Sequence, residues 1–170
     1  MPASMPAVFV HGVPDTHRVW SPLLARVARK DVVTLSLPGF GCPVPEGFDA
    51  TKEAYVDWLL GELTRQSGPI DIVGHDWGAL LVTRAVSLRP QAVRSWAVGA
   101  APLDPDYEWH QAARAWQTPG MGERDPYAAA RFGARLAERT GAAFVSLPGC
   151  SHWWQLERPD GVADELRRFW

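Results

Sequence analysis

The stretch VGHDWGA, residues 73–79, decides the fold that we predict for this chain of 170 residues. It places one acid, Asp76, between Gly74 and Gly78, with an apolar run before it and an apolar helical pattern after it. This order predicts a strand, a tight turn and a helix, because a strained central residue tolerates only small neighbours. Asp76 is then either a nucleophile projecting from the turn or an ordinary helix N-cap. The paired glycines favour the nucleophile, since a cap does not require them.

Apolar runs alternate with helical patterns along the rest of the chain. Short β-branched runs without polar alternation are typical of strands in a parallel sheet whose two faces are both covered. We therefore predict one α/β domain over residues 1–170, a three-layer αβα sandwich with a mostly parallel sheet. Its ligand site is expected outside the carboxyl ends of the strands. The predicted strands are 7–10, 31–37, 70–73, 93–98 and 142–147, and the predicted helices lie within 19–28, 52–66, 77–89 and 161–170. In the last helix, the side chains of Val162, Leu166, Phe169 and Trp170 are expected to face the sheet.

Further candidate site residues follow other predicted strands. His152 comes after the last strand, which gives the chain order of nucleophile before base that is known for this turn motif. A histidine there is a candidate general base, although a lone histidine is more often structural. HGVPD, residues 11–15, ends the first strand. There the backbone N–H groups of Val13 and Trp77 would point at a developing oxyanion.

Composition excludes several classes of partner. Net charge is −2 and no basic block occurs, so neither a nucleic acid nor an anionic membrane is predicted. The N-terminal residues show no signal-peptide pattern, and no run approaches the ~20 apolar residues of a membrane span. The two cysteines, Cys42 and Cys150, have no metal or redox spacing. We expect a cytoplasmic protein with reduced thiols and no metal or other cofactor.

Four motifs together resemble the α/β-hydrolase fold, and in particular its branch with an aspartate nucleophile. They are HGVPDTHRVW at 11–20, LPGFG at 37–41, VGHDWGA at 73–79 and GCSHWWQLERPD at 149–160. That branch comprises the epoxide hydrolases and haloalkane dehalogenases. The resemblance implies Asp76 as nucleophile, His152 as general base, and Val13 and Trp77 as oxyanion-hole amides. Asp76 would attack a carbon of a small-molecule substrate, and water would hydrolyse the resulting ester.

An acid that orients His152 is also implied. GERDPY, residues 122–127, resembles the family stretch that carries this acid, which makes Asp125 the candidate. Asp125-Pro126 is also a good helix start, so N-capping is the alternative role. Asp104, just after the fourth strand, is the alternative acid, because some family members place theirs there.

The chain is shorter than the family pattern. We expect residues 104–122 to be a remnant of the helical cap, and the strand before GERDPY to be missing. The family's epoxide hydrolases protonate the leaving oxygen from cap tyrosines, and Tyr107 is the tyrosine best placed for this. Dehalogenases commonly carry an asparagine where this chain has Val13. An epoxide hydrolase-like enzyme is the resulting prediction; the alternative is a weak or inactive scaffold with a binding role.

Loss of the cap would also uncover aromatic surface near the site. Exposed apolar patches tend to bind partners, which makes a homodimer a hypothesis for this chain. The tryptophans expected to be exposed are Trp109, Trp116, Trp153 and Trp154.

Overall fold

A computed structural model describes residues 5–107, 130–147, 150 and 152–170, the side chains of 130–133 excepted. Within these residues, four strands form one sheet in which every pair is parallel. The strands β1 to β4 are Ala7–Val10, Val32–Leu35, Ile70–His75 and Val93–Gly99, and their order is β2-β1-β3-β4. The predicted α/β fold and the first four predicted strands are confirmed.

Helices follow the strands as the apolar patterns predict. The described helices α1 to α6 are Ser21–Val27, Lys52–Thr64, Trp77–Leu88, Ala130–Thr140, Trp154–Glu157 and Pro159–Phe169. Thr51 begins α2, where its side chain accepts a hydrogen bond from the Ala54 N–H at 3.2 Å. Pro90 follows the end of α3 and starts a single 3-10 turn. Among the described helices none is long and apolar enough to cross a membrane.

Alternate residues of β1 face opposite layers of the sandwich. Val8 and Val10 pack with α2 and α3, whereas Ala7 and Phe9 pack with α1 and α6. All four side chains are almost fully buried, which explains why the strand is a continuous apolar run. Each face has its own hydrophobic cluster, with Leu59, Leu63, Ile72 and Leu81 in one and Trp20, Leu23, Val73 and Leu166 in the other.

The fifth predicted strand is wrong. Residues 142–147 adopt no regular structure, and Phe144 and Val145 are about half exposed. A strand exists only when its backbone pairs with a neighbour, and in the described part of the chain β4 pairs with β3 alone. Leu147 instead packs against the cluster on the α1 and α6 face. The predicted cap remnant, 104–122, is described only as far as residue 107.

The C-terminal helix faces the sheet with a slightly different stripe from the predicted one. Val162 and Leu166 are buried as predicted, and Trp170 packs edge-on against Phe9. The prediction for Phe169 is wrong, because its side chain is half exposed. Phe169 is the last residue of α6, and its exposure shows that the buried face of the helix ends before it.

A buried ion-pair network lies at the opposite end of β3 from the predicted ligand site. The Asp71 side chain is fully buried and contacts the guanidinium groups of Arg29 and Arg94. Ser95 on β4 donates a further hydrogen bond to it. Burial would raise the pKa of Asp71, but the bonds from Arg94, Ser95 and Arg29 outweigh it and hold the pKa below its usual value.

Candidate active site

Asp76 occupies a strained turn between β3 and α3. Its backbone has φ 53° and ψ −124°, a left-handed region that non-glycine residues rarely adopt. The Asp76 N–H donates to the Gly99 carbonyl at 3.1 Å, and its own carbonyl accepts from the Ala79 N–H at 2.9 Å. Asp76 precedes the first residue of α3, yet its side chain makes no capping hydrogen bond with that helix. The geometry thus differs from that of an ordinary N-cap.

The glycines around Asp76 are required by close packing. A Cβ atom on Gly78 would lie 2.2 Å from the Val10 carbonyl oxygen and 2.5 Å from that of His11. On Gly74 it would lie 2.8 Å from the Cα of Ala79. The N-terminus of α3 therefore lies directly against the ends of two strands. This close approach explains why small residues flank the acid.

The predicted oxyanion-hole amides converge on the Asp76 carboxylate. The Val13 N–H donates to Asp76 Oδ1 at 2.9 Å. The main chain of Trp77 lies near enough to the same carboxylate to lower its pKa. Gly12 must be small, since a Cβ atom there would lie 2.4 Å from Oδ1. The structure thus brings Asp76, Val13 and Trp77 together. These two amides are positioned to stabilise negative charge on an oxygen of Asp76.

His152 lies against the other oxygen of the same carboxylate. Its Nε2 is 3.5 Å from Asp76 Oδ2, and its side chain is 8% exposed. Burial would raise the pKa of Asp76, but its interactions with His152, Trp77 and Val13 outweigh burial and lower that pKa. Asp76 is therefore an ionised carboxylate at neutral pH. A nucleophile and a base within contact distance are what covalent hydrolysis requires.

The side chain of His11 fixes the turn that carries Val13 through two hydrogen bonds. The Leu37 N–H donates to His11 Nε2 at 3.0 Å, so this nitrogen carries no proton. The other nitrogen, Nδ1, must then be the donor to the Gly12 carbonyl, 2.7 Å away. Burial lowers the pKa of His11, which keeps this neutral form. The imidazole thereby ties the end of β1 to the segment after β2.

Sequence reasoning missed a second buried histidine beside the site. His75, the last residue of β3, is fully buried and its Nε2 lies 2.8 Å from the carbonyl oxygen of His152. Gln155, also fully buried, lies 3.4 Å from His75 Nδ1. Burial lowers the pKa of His75 to about 4. The available signal was a polar residue two positions after the buried strand predicted at 70–73, since a buried polar group needs a partner.

Two tryptophans near His152 are partly buried, so their predicted exposure is wrong. Trp154 packs edge-on against both Trp20 and His75. The Trp153 Nε1–H donates to Asp15 Oδ2 at 3.0 Å, which joins the His152 loop to the loop after β1. Trp77, by contrast, is 48% exposed next to Asp76. The other two tryptophans, Trp109 and Trp116, lie outside the described residues.

Asp104 bonds to arginines of α4. Its oxygens accept from Arg135 at 2.9 Å and from Arg139 at 3.2 Å, and its carboxylate is buried. The Arg135 guanidinium is the main cause that lowers the pKa of Asp104 to about 2. Asp104 thus connects the segment after β4 to α4. The other predicted acid, Asp125, lies outside the described residues, so the residue that orients His152 stays a prediction.

Comparison with known proteins identifies the family. Residues 7–121 match the model of a family described as the alpha/beta hydrolase family. The chain belongs to the alpha/beta hydrolase family. The matched range contains the turn with Val13 and the turn with Asp76 and Trp77, but ends before His152.

One hydrolase is similar to this chain over part of its length. The (E)-2-((N-methylformamido)methylene)succinate hydrolase of Acinetobacter baylyi is 32% identical over 95 residues. That alignment covers 55% of this chain and 36% of the relative. The chain therefore matches only about a third of the length of this hydrolase.

Solved structures of hydrolases share the fold. A CIB-like hydrolase from Thermoplasma acidophilum superposes with a TM-score of 0.76 over 99% of this chain and 87% of that one, at 16% identity. Haloalkane dehalogenase DbeA from Bradyrhizobium elkani is 27% identical, with a TM-score of 0.56 over 71% of this chain and 45% of its own. The first likeness concerns the fold alone. The second also includes sequence similarity to an alpha/beta hydrolase named as a dehalogenase.

Proposed function

We propose that this chain is a hydrolase with an aspartate nucleophile, most similar in chemistry to an epoxide hydrolase. The observation that carries the proposal is the convergence of three groups on the Asp76 carboxylate. Two are the backbone N–H groups of Val13 and Trp77, and the third is His152 Nε2, 3.5 Å from Oδ2. A lowered pKa keeps Asp76 ionised, as a nucleophilic carboxylate must be.

The two carboxylate oxygens of Asp76 have different roles in this mechanism. Oδ1 accepts from the Val13 N–H at 2.9 Å and is held in place. Oδ2, which faces His152, is the oxygen that attacks the substrate carbon. The new C–O bond forms as the epoxide C–O bond breaks, and the leaving oxygen takes up a proton. The product of this step is an ester between Oδ2 and the substrate.

Hydrolysis of the ester uses the base and the amides. His152 Nε2 removes a proton from water, and the water oxygen attacks Cγ of Asp76. Negative charge then develops on Oδ1, where the N–H groups of Val13 and Trp77 stabilise it. Collapse of this intermediate breaks the bond between Cγ and Oδ2. The product oxygen, the former Oδ2, takes the proton that His152 removed from water and leaves as an alcohol, while Asp76 retains an oxygen from water.

Two substrate classes, epoxides and haloalkanes, fit the proposed reaction. An epoxide supplies an electrophilic sp3 carbon, and Tyr107 is the tyrosine proposed to protonate the leaving oxygen. The likeness to dehalogenase DbeA, at 27% identity, favours a second candidate in which a halide leaves instead. Val13 stands where dehalogenases commonly carry a halide-binding asparagine, so we rank this candidate second.

Isotope transfer from water to Asp76 tests the proposal. The protein is incubated in excess over styrene oxide in ¹⁸O-labelled water and then digested with trypsin. Peptide 66–84 contains Asp76, and tandem mass spectrometry separates label on Asp76 from label on Asp71. We expect one ¹⁸O atom on Asp76, because water attacks Cγ of that residue. A bromoalkane assayed in parallel, with bromide release measured, decides between the two leaving groups.

Two variants serve as controls. His152→Gln removes the base and should trap the ester, giving a mass increase of one substrate per chain. Asp76→Asn should give neither label nor adduct. If wild type and His152→Gln show no label, no adduct and no turnover with either substrate, the proposal is wrong.

A further inference from the structure

Three buried groups beside the nucleophile form one hydrogen-bonded series. Gln155 Nε2 lies 3.4 Å from His75 Nδ1, and His75 Nε2 lies 2.8 Å from the carbonyl oxygen of His152. Gln155 and His75 are fully buried, and His152 is 8% exposed. The series therefore runs from α5 through the end of β3 to the main chain of the base. The mechanism above does not use Gln155 or His75.

The proton positions in this series are determined by one carbonyl group. The His152 carbonyl can only accept, so His75 must carry its proton on Nε2. A neutral His75 then has a bare Nδ1, which can only accept. Gln155 must therefore present its NH2 group to His75. Buried surroundings keep His75 neutral, so this arrangement does not change across the neutral pH range.

The same histidine also contacts the catalytic imidazole. The rings of His75 and His152 have centroids 4.6 Å apart, inclined at 58°. Trp154 packs edge-on against His75 at 5.6 Å. His75 thus holds His152 both through its main chain and through its ring. Both contacts act on the residue whose Nε2 must stay near Asp76 Oδ2.

We propose that His75 is a positioning residue for His152 and that Gln155 fixes the tautomer that His75 needs for this. This role rests on the proposed function and deepens it. His75 bonds to no atom that reacts, so its contribution passes through the placement of His152. The attack by Asp76 needs no base, whereas ester hydrolysis does. Loss of His75 therefore slows the second step and leaves the first step nearly unchanged.

Two substitutions at position 75 separate this role from general support of the fold. His75→Phe keeps an aromatic ring but has no N–H donor for the His152 carbonyl. His75→Gln restores a donor, because its side-chain amide can occupy the place of Nε2. Gln155→Met is the third variant. This variant keeps His75 and removes only the Gln155 amide that donates to His75 Nδ1. The role of His75 can therefore still be tested if His75→Phe does not fold.

Single-turnover kinetics give the first readout. Ester formation and ester decay are followed by intact-protein mass spectrometry after mixing with styrene oxide. In His75→Phe we expect ester decay to slow by up to about 100-fold, the effect of displacing a catalytic group by about 1 Å. Ester formation should change less than about 3-fold, and His75→Gln should recover most of the decay rate. A purely structural role would slow both steps together and would not be rescued by glutamine.

Crystal structures of the free variants give a readout that needs no turnover. We expect the distance from His152 Nε2 to Asp76 Oδ2, 3.5 Å in wild type, to increase in His75→Phe and to be kept in His75→Gln. An unchanged distance, or wild-type ester decay in both His75→Phe and Gln155→Met, overturns the positioning role. If no variant forms an ester, including His152→Gln, the proposed function fails, whereas the crystal structures still decide whether His75 places His152.

Discussion

Replacing Gly78 by alanine tests the packing that exposes Asp76. The added Cβ would lie 2.2 Å from the Val10 carbonyl oxygen, more than 1 Å inside ordinary van der Waals contact at 3.4 Å. The Val10 and His11 carbonyl oxygens that this Cβ would meet are backbone atoms, so no side-chain rotation can relieve the contact. The start of α3 must move off the end of β1. Asp76 and the Trp77 N–H move with it, away from Val13.

The cost in stability can be estimated from two opposing effects. Overpacking costs about 1–3 kcal/mol, while glycine to alanine in a helix gains up to about 1 kcal/mol. We expect a net loss of about 1–2 kcal/mol in the free energy of unfolding. For a chain of this size that corresponds to a Tm lower by about 2–8 °C. A 1 Å displacement of Asp76 should also slow ester formation by about 100-fold.

Gly61→Ala is the matched control. Gly61 lies inside α2, and a Cβ atom there would meet no atom within 4 Å. This variant should gain about 0.5–1 kcal/mol and keep full activity. Urea unfolding of both variants gives the free energies. If Gly78→Ala is as stable as Gly61→Ala, the close approach of α3 to β1 is not present in solution and the explanation of the paired glycines is wrong.

Three further predictions concern charged or titratable groups. Folding lowers the pKa of His75 from 6.5 to about 4, so the unfolded chain binds this proton at a higher pH than the folded chain does. As the pH falls from 6.5 to about 4, the free energy of unfolding should therefore fall by about 3 kcal/mol. Urea titrations of His75→Gln should show a shallower dependence of that free energy on pH. Asp71→Asn should lose roughly 2–4 kcal/mol, because Arg94 then loses a fully buried ionised partner, whereas the exposed Asp57→Asn should change stability by less than about 0.5 kcal/mol. Asp104→Asn should speed hydrogen exchange in α4 severalfold and leave exchange in β3 unchanged; equal rates in α4 would show that the ion pairs do not hold this helix.

The sequence predicts those parts of this protein that depend on local pattern. Mostly apolar runs identify β1 to β4, and Asp76 between two glycines identifies the turn. The fifth strand fails because a strand depends on a neighbour that no local pattern supplies. Phe144 and Val145 have strand-forming side chains, yet pair with no described strand. The local sequence pattern shows that a segment can form a strand, and pairing with a neighbouring strand decides whether it does.

The residues of the candidate site also fall into those that local pattern predicts and those that it does not. Val13, Asp76 and Trp77 meet because they follow the ends of β1 and β3, as the motifs predict. His152 reaches the same carboxylate although the strand predicted before it does not form. His75 was missed because its role depends on a hydrogen bond to a main-chain carbonyl 77 residues away. Asp104 has the right place after β4, but its contacts with Arg135 and Arg139 depend on a helix whose docking the sequence does not reveal.

The groups that would stabilise the oxyanion are main-chain N–H groups, and this has a consequence for variation at the site. Any residue except proline supplies such a group, so positions 13 and 77 can change their side chains while the same two dipoles still point at Asp76. The half-exposed indole of Trp77 is thus free to be exchanged without loss of charge stabilisation. Libraries of variants at positions 13 and 77, with the glycines held constant, would present differently shaped sites to substrates. The two N–H groups that stabilise negative charge would stay the same.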